Sequence, residues 1–133
     1  MTERIKALIT KVGLDSHERG AMLVASALKD AGIEVVYLGS FQTPESIVKS
    51  AIQEDVNLIG ISCHCGEHLT LVPIVLKLMA ENSLENIPVI VGGVIPKEDA
   101  IELKAAGVKG VFVYGTTMDQ IAQCVLDLCY QKF

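Results

Sequence analysis

The three histidines of this 133-residue chain all fall in two short polar segments, residues 13–20 and 62–68. In the first segment His17 follows Asp15 by two positions. Neutral imidazole is the commonest metal ligand in proteins, and a carboxylate bonded to its other ring nitrogen fixes the tautomer and raises the basicity of the ligand. One protein ligand cannot hold a bare metal ion, but it can complete the coordination of a metal held in a macrocycle. The alternative is that Asp15 and His17 only cap the helix that follows.

The second segment carries sulfur as well as nitrogen, in the order Cys63-His64-Cys65-x-x-His68. Two thiolates and two imidazoles suit zinc, copper or haem iron. Neighbouring residues rarely ligate one metal. An altered tetrapyrrole site and a redox-sensitive thiol pair are therefore alternatives to an independent metal centre in this segment. The interpretation we favour for Cys63 and Cys65 is that they are small, buried, apolar residues.

Two kinds of periodicity alternate along the chain and predict the elements that must position these segments. Short runs rich in valine and isoleucine predict strands covered on both faces, as in a parallel sheet. Between them, apolar residues at helical spacing predict amphipathic helices. The predicted strands are Ile5–Val12, Glu34–Leu38, Leu58–Ser62, Pro88–Val91 and Gly110–Tyr114.

Capping residues mark the predicted helix boundaries. Thr43 precedes Pro44 at one helix start, where the missing N–H of proline costs nothing. Thr70 as a cap would leave Pro73 in the first turn of its helix, where proline is tolerated. The other boundary signals are a capping box in Thr117 and Gln120, and helix ends at Gly32 and Gly107.

Five strands that alternate with helices predict a single α/β domain over residues 1–133. The commonest arrangement of five such strands is a flavodoxin-like, doubly wound parallel sheet of order 2-1-3-4-5. Its ligand crevice opens beyond the carboxyl ends of the first and third strands, where the winding reverses. Both histidine segments follow those two strands, so we expect all three imidazoles near the crevice.

Small residues follow the remaining strands at the same edge of the predicted sheet. Gly92-Gly93 follows the fourth strand, Gly115-Thr116 follows the fifth, and Gly20 opens the first helix towards its loop. Glycine lets a ligand approach the backbone closely, and threonines at a helix N-terminus can bond a phosphate or another polar tail. Together these residues predict a long trough across the end of the sheet. The alternative is that the glycines only serve βα turns.

Residue types exclude several functions of this fold. A phosphoacceptor receiver needs an acidic cluster after the first strand, an aspartate after the third and a lysine after the fifth, and the last two are absent here. Asp15 and Glu18 would repel the phosphate of a flavin mononucleotide. Neither a dinucleotide-binding glycine fingerprint nor a Walker A loop occurs.

Composition narrows the partners and the compartment. A net charge of −5 provides no basic face for nucleic acid or for an anionic membrane surface. No apolar run approaches the roughly 18 residues of a membrane span, and no signal-peptide-like run precedes the first strand. We therefore expect a cytoplasmic protein whose four cysteines are thiols.

Asp15-x-His17-x-x-Gly20, Ser62 and Gly92-Gly93 form a three-part motif. At these spacings the chain resembles the cobalamin-binding domain of methylmalonyl-CoA mutase and related acyl-CoA mutases, in its stand-alone small-subunit form. The resemblance covers nearly the whole chain and includes the segments Gln42–Val48, Leu69–Pro73 and Val89–Pro96.

The resemblance implies a corrinoid bound base-off, which means that its own dimethylbenzimidazole is displaced from cobalt. His17 would be the lower axial cobalt ligand, and Asp15 would bond its distal nitrogen. A separate large subunit would bind the acyl-CoA and cover the adenosylcobalamin, so this chain alone would be inactive. The displaced nucleotide tail would lie in the trough beside Ser62, Gly92 and Gly93, with Gly115 and Thr116 near the far end.

One position departs from the family motif, because its S-x-L leucine is His64 here. Strand alternation would put Ser62 and His64 on one side of the strand, and Cys63 and Cys65 on the other. His64 can stack on the base or bond it, or it indicates that the pocket holds something else. A second hypothesis therefore stays open: a non-catalytic corrinoid or haem carrier or sensor that uses His17 or the Cys63-His64-Cys65 cluster.

Overall fold

The computed structural model describes residues 5–12, 19–63, 66, 68–113 and 116–130. Five strands and five helices alternate along the chain, as the sequence pattern predicts. In order they are β1 (Lys6–Val12), α1 (Arg19–Asp30), β2 (Glu34–Gln42), α2 (Pro44–Glu54), β3 (Leu58–Cys63), α3 (His68–Glu81), β4 (Val89–Gly93), α4 (Lys97–Ala106), β5 (Gly110–Phe112) and α5 (Met118–Tyr130).

The strands form one parallel sheet of order β2-β1-β3-β4-β5, which confirms the predicted flavodoxin-like topology. The winding reverses between β1 and β3, so the carboxyl ends of these two strands flank the switch point of the sheet. Within the described ranges, no helix has both the length and the apolarity that crossing a bilayer requires.

Strand β2 is longer than predicted, because it ends at Gln42 rather than at Leu38. The prediction stopped where Gly39 interrupts the apolar run. The strand continues through an irregular pairing with β1, in which Thr10 lies opposite Gly39 and Val12 opposite Gln42. Gly39 has a φ of +81°, which L side chains rarely adopt, so glycine permits the irregularity. At the other edge β5 ends at Phe112, and the predicted end at Tyr114 lies outside the described residues.

Two of the predicted helix starts are confirmed by reciprocal capping bonds. Thr43 Oγ1 accepts a bond from the Ser46 backbone N–H at 3.0 Å, and Ser46 Oγ accepts one from the Thr43 N–H at 2.9 Å. Thr117 and Gln120 form the same kind of box at the start of α5, with bonds of 2.9 and 3.1 Å. Each box satisfies two N–H groups that a helix start leaves unpaired.

The predicted start of α3 after Thr70 is wrong, because the helix already begins at His68. Pro73 therefore lies inside the helix rather than in its first turn. Proline at this position cannot donate the backbone N–H bond to the Leu69 carbonyl oxygen, so α3 has one hydrogen bond fewer in this turn. The early start places His68 within the helix, where its ring is buried.

The two faces of the sheet are covered by different helices. We call the face under α2, α3 and α4 the closed face; its side chains join a core with Val48, Val75 and Leu103 of those helices. We call the face under α1 and α5 the open face; its side chains pack against Leu28 and Val125. The strand residues of the closed face include Leu8, Ile59, Ile61, Cys63, Val89 and Val91, and those of the open face include Ala7, Ile9, Leu58, Ile90 and Phe112.

Candidate cofactor-binding site

A cavity of about 410 Å³ opens at the carboxyl edge of the sheet, between the open face and helices α1 and α5. This is the edge at which the switch point of a doubly wound fold places its ligand. We call this cavity the slot. Its walls are mostly apolar, with Val24 from α1, Met118 and Ile121 from α5, and Val113 after β5.

The floor of the slot consists of two rows of residues that lie side by side across the strands. Residues two positions apart on a strand share a face and lie roughly 7 Å apart, so the rows follow one another down the slot. The inner row is Ile9, Gly60 and Ile90, and the outer row, nearer the carboxyl edge, is Ser62, Gly92 and Phe112. Lys11 lies in register with the outer row, opposite Ser62, but it does not line the slot.

Glycines create the depth of this floor. A Cβ atom at Gly60 would lie 2.8 Å from Ile9 Cδ1 and 3.5 Å from Ile90 Cγ1. A Cβ atom at Gly92 would meet Phe112 Cβ at 3.6 Å, which is an ordinary van der Waals contact. The absent side chains at these two positions leave the space that a flat ligand can fill.

Gly93 has a different role from its neighbour Gly92. Its φ is +126°, and a Cβ atom there would overlap the carbonyl oxygen of Cys63. The same carbonyl oxygen accepts a bond from the Val94 backbone N–H at 3.0 Å. Only glycine fits this close approach, which holds the loop after β4 against the end of β3 and so fixes one wall of the slot.

Five of the predicted site residues line this one cavity, and they come from four separate parts of the chain: Gly20, Ser62, Gly92, Gly93 and Thr116. The predictions for Asp15, His17, His64 and Gly115 concern residues outside the described part of the chain. Thr116 lines the slot, and its Oγ1 donates a hydrogen bond to the Val113 carbonyl oxygen at 2.8 Å. That all these residues bind a cofactor stays a prediction.

Sequence reasoning missed three residues of this region. Gly60 and Phe112 line the slot, and Lys11 is fully buried in register with the outer row. The Lys11 ammonium donates to the Ser62 carbonyl oxygen at 3.4 Å. The sequence contained signals for two of these residues. A lone glycine inside an apolar strand indicates close approach by a ligand or by backbone. A lysine inside a buried strand indicates that its charge has a polar partner.

Of the Cys63-His64-Cys65-x-x-His68 pattern, the described part of the chain contains Cys63 and His68. Cys63 is buried in the core of the closed face, whereas Ser62 lines the slot, so the predicted alternation is confirmed for this pair. His68 is 2 % exposed, and its Nε2 lies 2.7 Å from Asp99 Oδ2 at the start of α4. No group of three or more ligating side chains with metal-site geometry occurs within the described ranges.

Another cysteine, Cys124 of α5, faces the open side near Gly110. Burial raises the pKa of its thiol, repulsion from Asp127 adds to the shift, and attraction to Lys104 opposes it. The protonated thiol is the less reactive form and a poor metal ligand, which fits the expectation that this cysteine is a plain thiol.

Fold and slot together define a flavodoxin-like domain with an apolar cavity at the switch point of the sheet. The chain belongs to the B12-binding domain family, whose model, described as "B12 binding domain", matches residues 5–122. The family resemblance inferred from the three-part motif is thus confirmed.

Two relatives are small subunits of acyl-CoA mutases. The 2-hydroxyisobutanoyl-CoA mutase small subunit of Aquincola tertiaricarbonis is 44% identical over 93% of this chain and 91% of its own length. The pivalyl-CoA mutase small subunit of Xanthobacter autotrophicus is 42% identical over 96% of this chain and 85% of its own length. The methylmalonyl-CoA mutase of Cereibacter sphaeroides is also 42% identical over 94% of this chain, but the match spans only 18% of that protein.

Solved structures agree on the fold. A cobalamin-binding protein from Desulfitobacterium hafniense superimposes with a TM-score of 0.83 at 20% identity, over 95% of this chain and 60% of that one. A Francisella response regulator receiver domain superimposes with a TM-score of 0.76 at 16% identity, over 98% of this chain and 100% of that one. At such identities the likeness establishes the fold alone.

Proposed function

We propose that this chain is the cobalamin-binding small subunit of an adenosylcobalamin-dependent acyl-CoA mutase. The observation that carries the proposal is the convergence of Gly20, Ser62, Gly92, Gly93 and Thr116 on one deep apolar slot at the switch point. The family resemblance implies that the displaced nucleotide tail lies beside Ser62, Gly92 and Gly93, with Thr116 near its far end. Membership of the B12-binding family and the two mutase small subunits among its relatives support the same function.

The slot suits the dimethylbenzimidazole base of that tail. The base is flat and mostly hydrocarbon, and the glycine floor at Gly60 and Gly92 leaves the space for such a plane. Burial of this apolar surface supplies much of the binding free energy. Ser62 at the outer row can donate its hydroxyl proton to a ring nitrogen, which orients the base. Thr116 and Met118 at the start of α5 also line the slot, and a helix N-terminus suits the polar part of the tail.

His17 is proposed as the lower axial ligand of cobalt, and Asp15 as the acceptor of a hydrogen bond from its other ring nitrogen. The motif carries this assignment, and Asp15 and His17 stand in the sequence between β1 and α1, which both contribute residues to the slot. The carboxylate would fix the imidazole tautomer and strengthen it as a ligand.

A large subunit is proposed as the partner. The chain matches only 18% of the length of a methylmalonyl-CoA mutase, and its small-subunit relatives are of similar length to this chain. Bound adenosylcobalamin would supply a cobalt–carbon bond whose homolysis starts a carbon-skeleton rearrangement. The residues of this chain would hold the corrinoid by its tail and its lower face. The large subunit would hold the acyl-CoA and exclude water from the upper face.

The haem alternative receives no support from the family model or from the relatives, which all point to cobalamin or to cobalamin-type mutases. The experiment that tests the proposal therefore includes haem as a second ligand. Purified protein is titrated separately with adenosylcobalamin and with haem, and each titration is followed by absorbance. We expect saturable cobalamin binding with the spectrum of a base-off, histidine-ligated corrinoid. A protein that binds haem but not cobalamin would overturn the proposal.

Variants of the histidines refine the same titration. His17→Ala should abolish the histidine-ligated spectrum, whereas His64→Leu, which restores the family residue, should preserve or improve binding. Asp15→Asn should weaken binding about 10–100-fold, as changes to the partner of a metal ligand do. An unchanged spectrum in His17→Ala would remove His17 from its role. Loss of the cofactor in His64→Leu would make His64 a ligand instead.

A further inference from the structure

Helix α3 carries apolar side chains on the side that faces away from the sheet as well as on the side that faces the core. Val72 and Val75 are buried under the closed face, whereas Ile74 points outward and is 40 % exposed. Leu71 and Leu78, about one turn before and after Ile74, are partly exposed. A helix that is apolar all round is normally covered on every side, so the outer side of α3 indicates a further contact.

A groove of about 280 Å³ lies between α3 and its neighbour α2. Its apolar lining comes from Leu78 of α3 and from Val48 and Ile52 of α2, and Ile52 is 49 % exposed. Glu45 and Lys49 of α2 stand at its rim, one helical turn apart. We call this region the α2–α3 surface; its exposed and partly exposed members are Glu45, Lys49, Ile52, Leu71, Ile74 and Leu78.

The charges of the α2–α3 surface indicate what it fits. The whole chain has a net charge of −5, but Glu45 and Lys49 on this surface cancel. Within the part of the chain that the structure describes, neither of these two side chains forms an ion pair. A neutral, apolar surface is the place where two copies of an acidic chain approach each other with the least repulsion.

We propose that the α2–α3 surface docks a second copy of this chain across a two-fold axis. In such a contact, if one residue meets another on the second copy, the reverse contact also forms. Glu45 and Lys49 are four positions apart, so antiparallel packing of α2 on its copy pairs each with the opposite charge. Ile74 and Leu78 of α3 have the same spacing, so the same rotation gives two apolar contacts.

The docked arrangement leaves the slot free. Helices α2 and α3 cover the closed face of the sheet, whereas the slot lies on the open face under α1 and α5. The two slots of the pair therefore face away from each other, and self-association neither requires a cofactor nor blocks one. The inference is independent of the proposed function, and it can be tested on the purified chain alone.

The first experiment is sedimentation velocity on the purified chain over a series of concentrations. Two helices form a small interface, so we expect a monomer–dimer equilibrium with a dissociation constant of about 1–100 μM. A chain that stays monomeric up to about 300 μM would overturn the inference, because even a weak interface is populated there. Growth beyond the dimer would exclude a closed two-fold contact.

Two matched isoleucines locate the interface. Ile74→Asp should weaken self-association about tenfold or more, because it buries two unpaired carboxylates in the dimer. The control is Ile101→Asp, the same change at an isoleucine of α4 that is 71 % exposed and lies outside the α2–α3 surface. It should leave the dissociation constant within about twofold. Circular dichroism confirms that both variants are folded, and equal effects of the two would refute the assignment of the surface.

Charge reversals test the two-fold axis itself. Glu45→Lys and Lys49→Glu should each weaken self-association about fivefold or more, because each change places like charges opposite each other twice. The double variant E45K/K49E contains both pairs in reversed order and should recover the association of the wild type. An equimolar mixture of the two single variants should also associate, because every contact in the mixed dimer again joins opposite charges.

These recoveries distinguish a second copy from an unrelated partner, because only a self-complementary contact is restored by exchanging the two charges. If the single variants associate as the wild type does, α2 is not at the interface and the inference fails. If they are folded and weakened, but neither the double variant nor the mixture recovers, Glu45 does not meet Lys49 of the second copy and the two-fold docking is refuted.

Discussion

The two faces of the sheet differ in how completely side chains fill the space under their helices. On the closed face each central strand contributes large side chains, such as Leu8, Ile59 and Val91, and the core is filled. On the open face the same strands contribute Gly60, Ser62 and Gly92 near their carboxyl ends, and a cavity of about 410 Å³ remains. Because successive residues of a strand point to opposite faces, one stretch of sequence encodes both a core and a cavity.

The difference indicates where stability and binding reside. Large side chains packed at high density stabilise the fold, and a filled core has no space for a ligand. An apolar cavity forgoes some of that packing and recovers it when an apolar ligand fills it. We therefore expect substitutions on the closed face to change the free energy of unfolding, and substitutions on the open face to change affinity.

The largest expected effect comes from truncating one isoleucine on each face. Ile59→Ala removes a fully buried closed-face side chain and should lower the free energy of unfolding by about 2–5 kcal/mol. Ile121→Ala removes a side chain that borders the slot, where packing is already incomplete, so about 1–2 kcal/mol is expected. Urea unfolding measures both values.

Cobalamin titration then completes this first comparison. The titration is done without urea, at a temperature where both variants are folded. Ile59→Ala should then bind cobalamin with the affinity of the wild type. Ile121→Ala should bind it more weakly, because one side chain that lines the slot is lost. Equal losses of affinity in the two variants would show that the faces are not energetically separate.

A pair of adjacent glycines sharpens the contrast. Gly93→Ala should cost about 2–4 kcal/mol of stability, because it combines a φ of +126° with overlap onto the Cys63 carbonyl oxygen. Gly92→Ala meets only an ordinary contact with Phe112 at 3.6 Å, so its stability should change by less than about 1 kcal/mol. Its new methyl group nevertheless stands in the slot and should weaken cobalamin binding. Thermal unfolding with and without cobalamin reads both effects, and a Gly92→Ala protein that binds normally would contradict the assignment of the floor.

The sequence predicted the sheet order and the edge that carries the site, because both follow from periodicity and from a topological rule. It also predicted Ser62, Gly92 and Gly93 at the site. These residues could be predicted because they belong to short motifs at strand ends. Such motifs lie at one edge of the sheet whatever the details of packing.

Other features could not be predicted from the sequence, because they depend on contacts between distant segments of the chain. The role of Gly60 follows from its register against Ile9 and Ile90, which only the paired sheet defines. The start of α3 was misplaced for a similar reason. His68 joins the helix where its ring can reach Asp99, 31 residues further along the chain, and no local capping signal announces that contact.

The smallest effect is expected at this His68–Asp99 pair. Asp99→Ala should destabilise the protein by about 1–3 kcal/mol, because it leaves Nε2 of a buried imidazole without its partner at 2.7 Å. The Nδ1 atom already lacks a partner among the described residues, so the variant would leave both ring nitrogens of His68 unsatisfied there. The matched control is Glu98→Ala, an exposed acid in the same first turn of α4, which should change stability by less than about 0.5 kcal/mol.

Cobalamin affinity decides to which region this pair belongs. The helices that it joins, α3 and α4, both pack on the closed face, so Asp99→Ala should leave the dissociation constant within about threefold of the wild type when the protein is fully folded. The end of β3 and the residue that follows β4 are joined by the Cys63–Val94 hydrogen bond beside the slot. Asp99→Ala could instead lower the affinity by well more than threefold while Glu98→Ala leaves it unchanged. That result would show that helices of the closed face position residues that line the slot, so the two faces would not be independent at this edge.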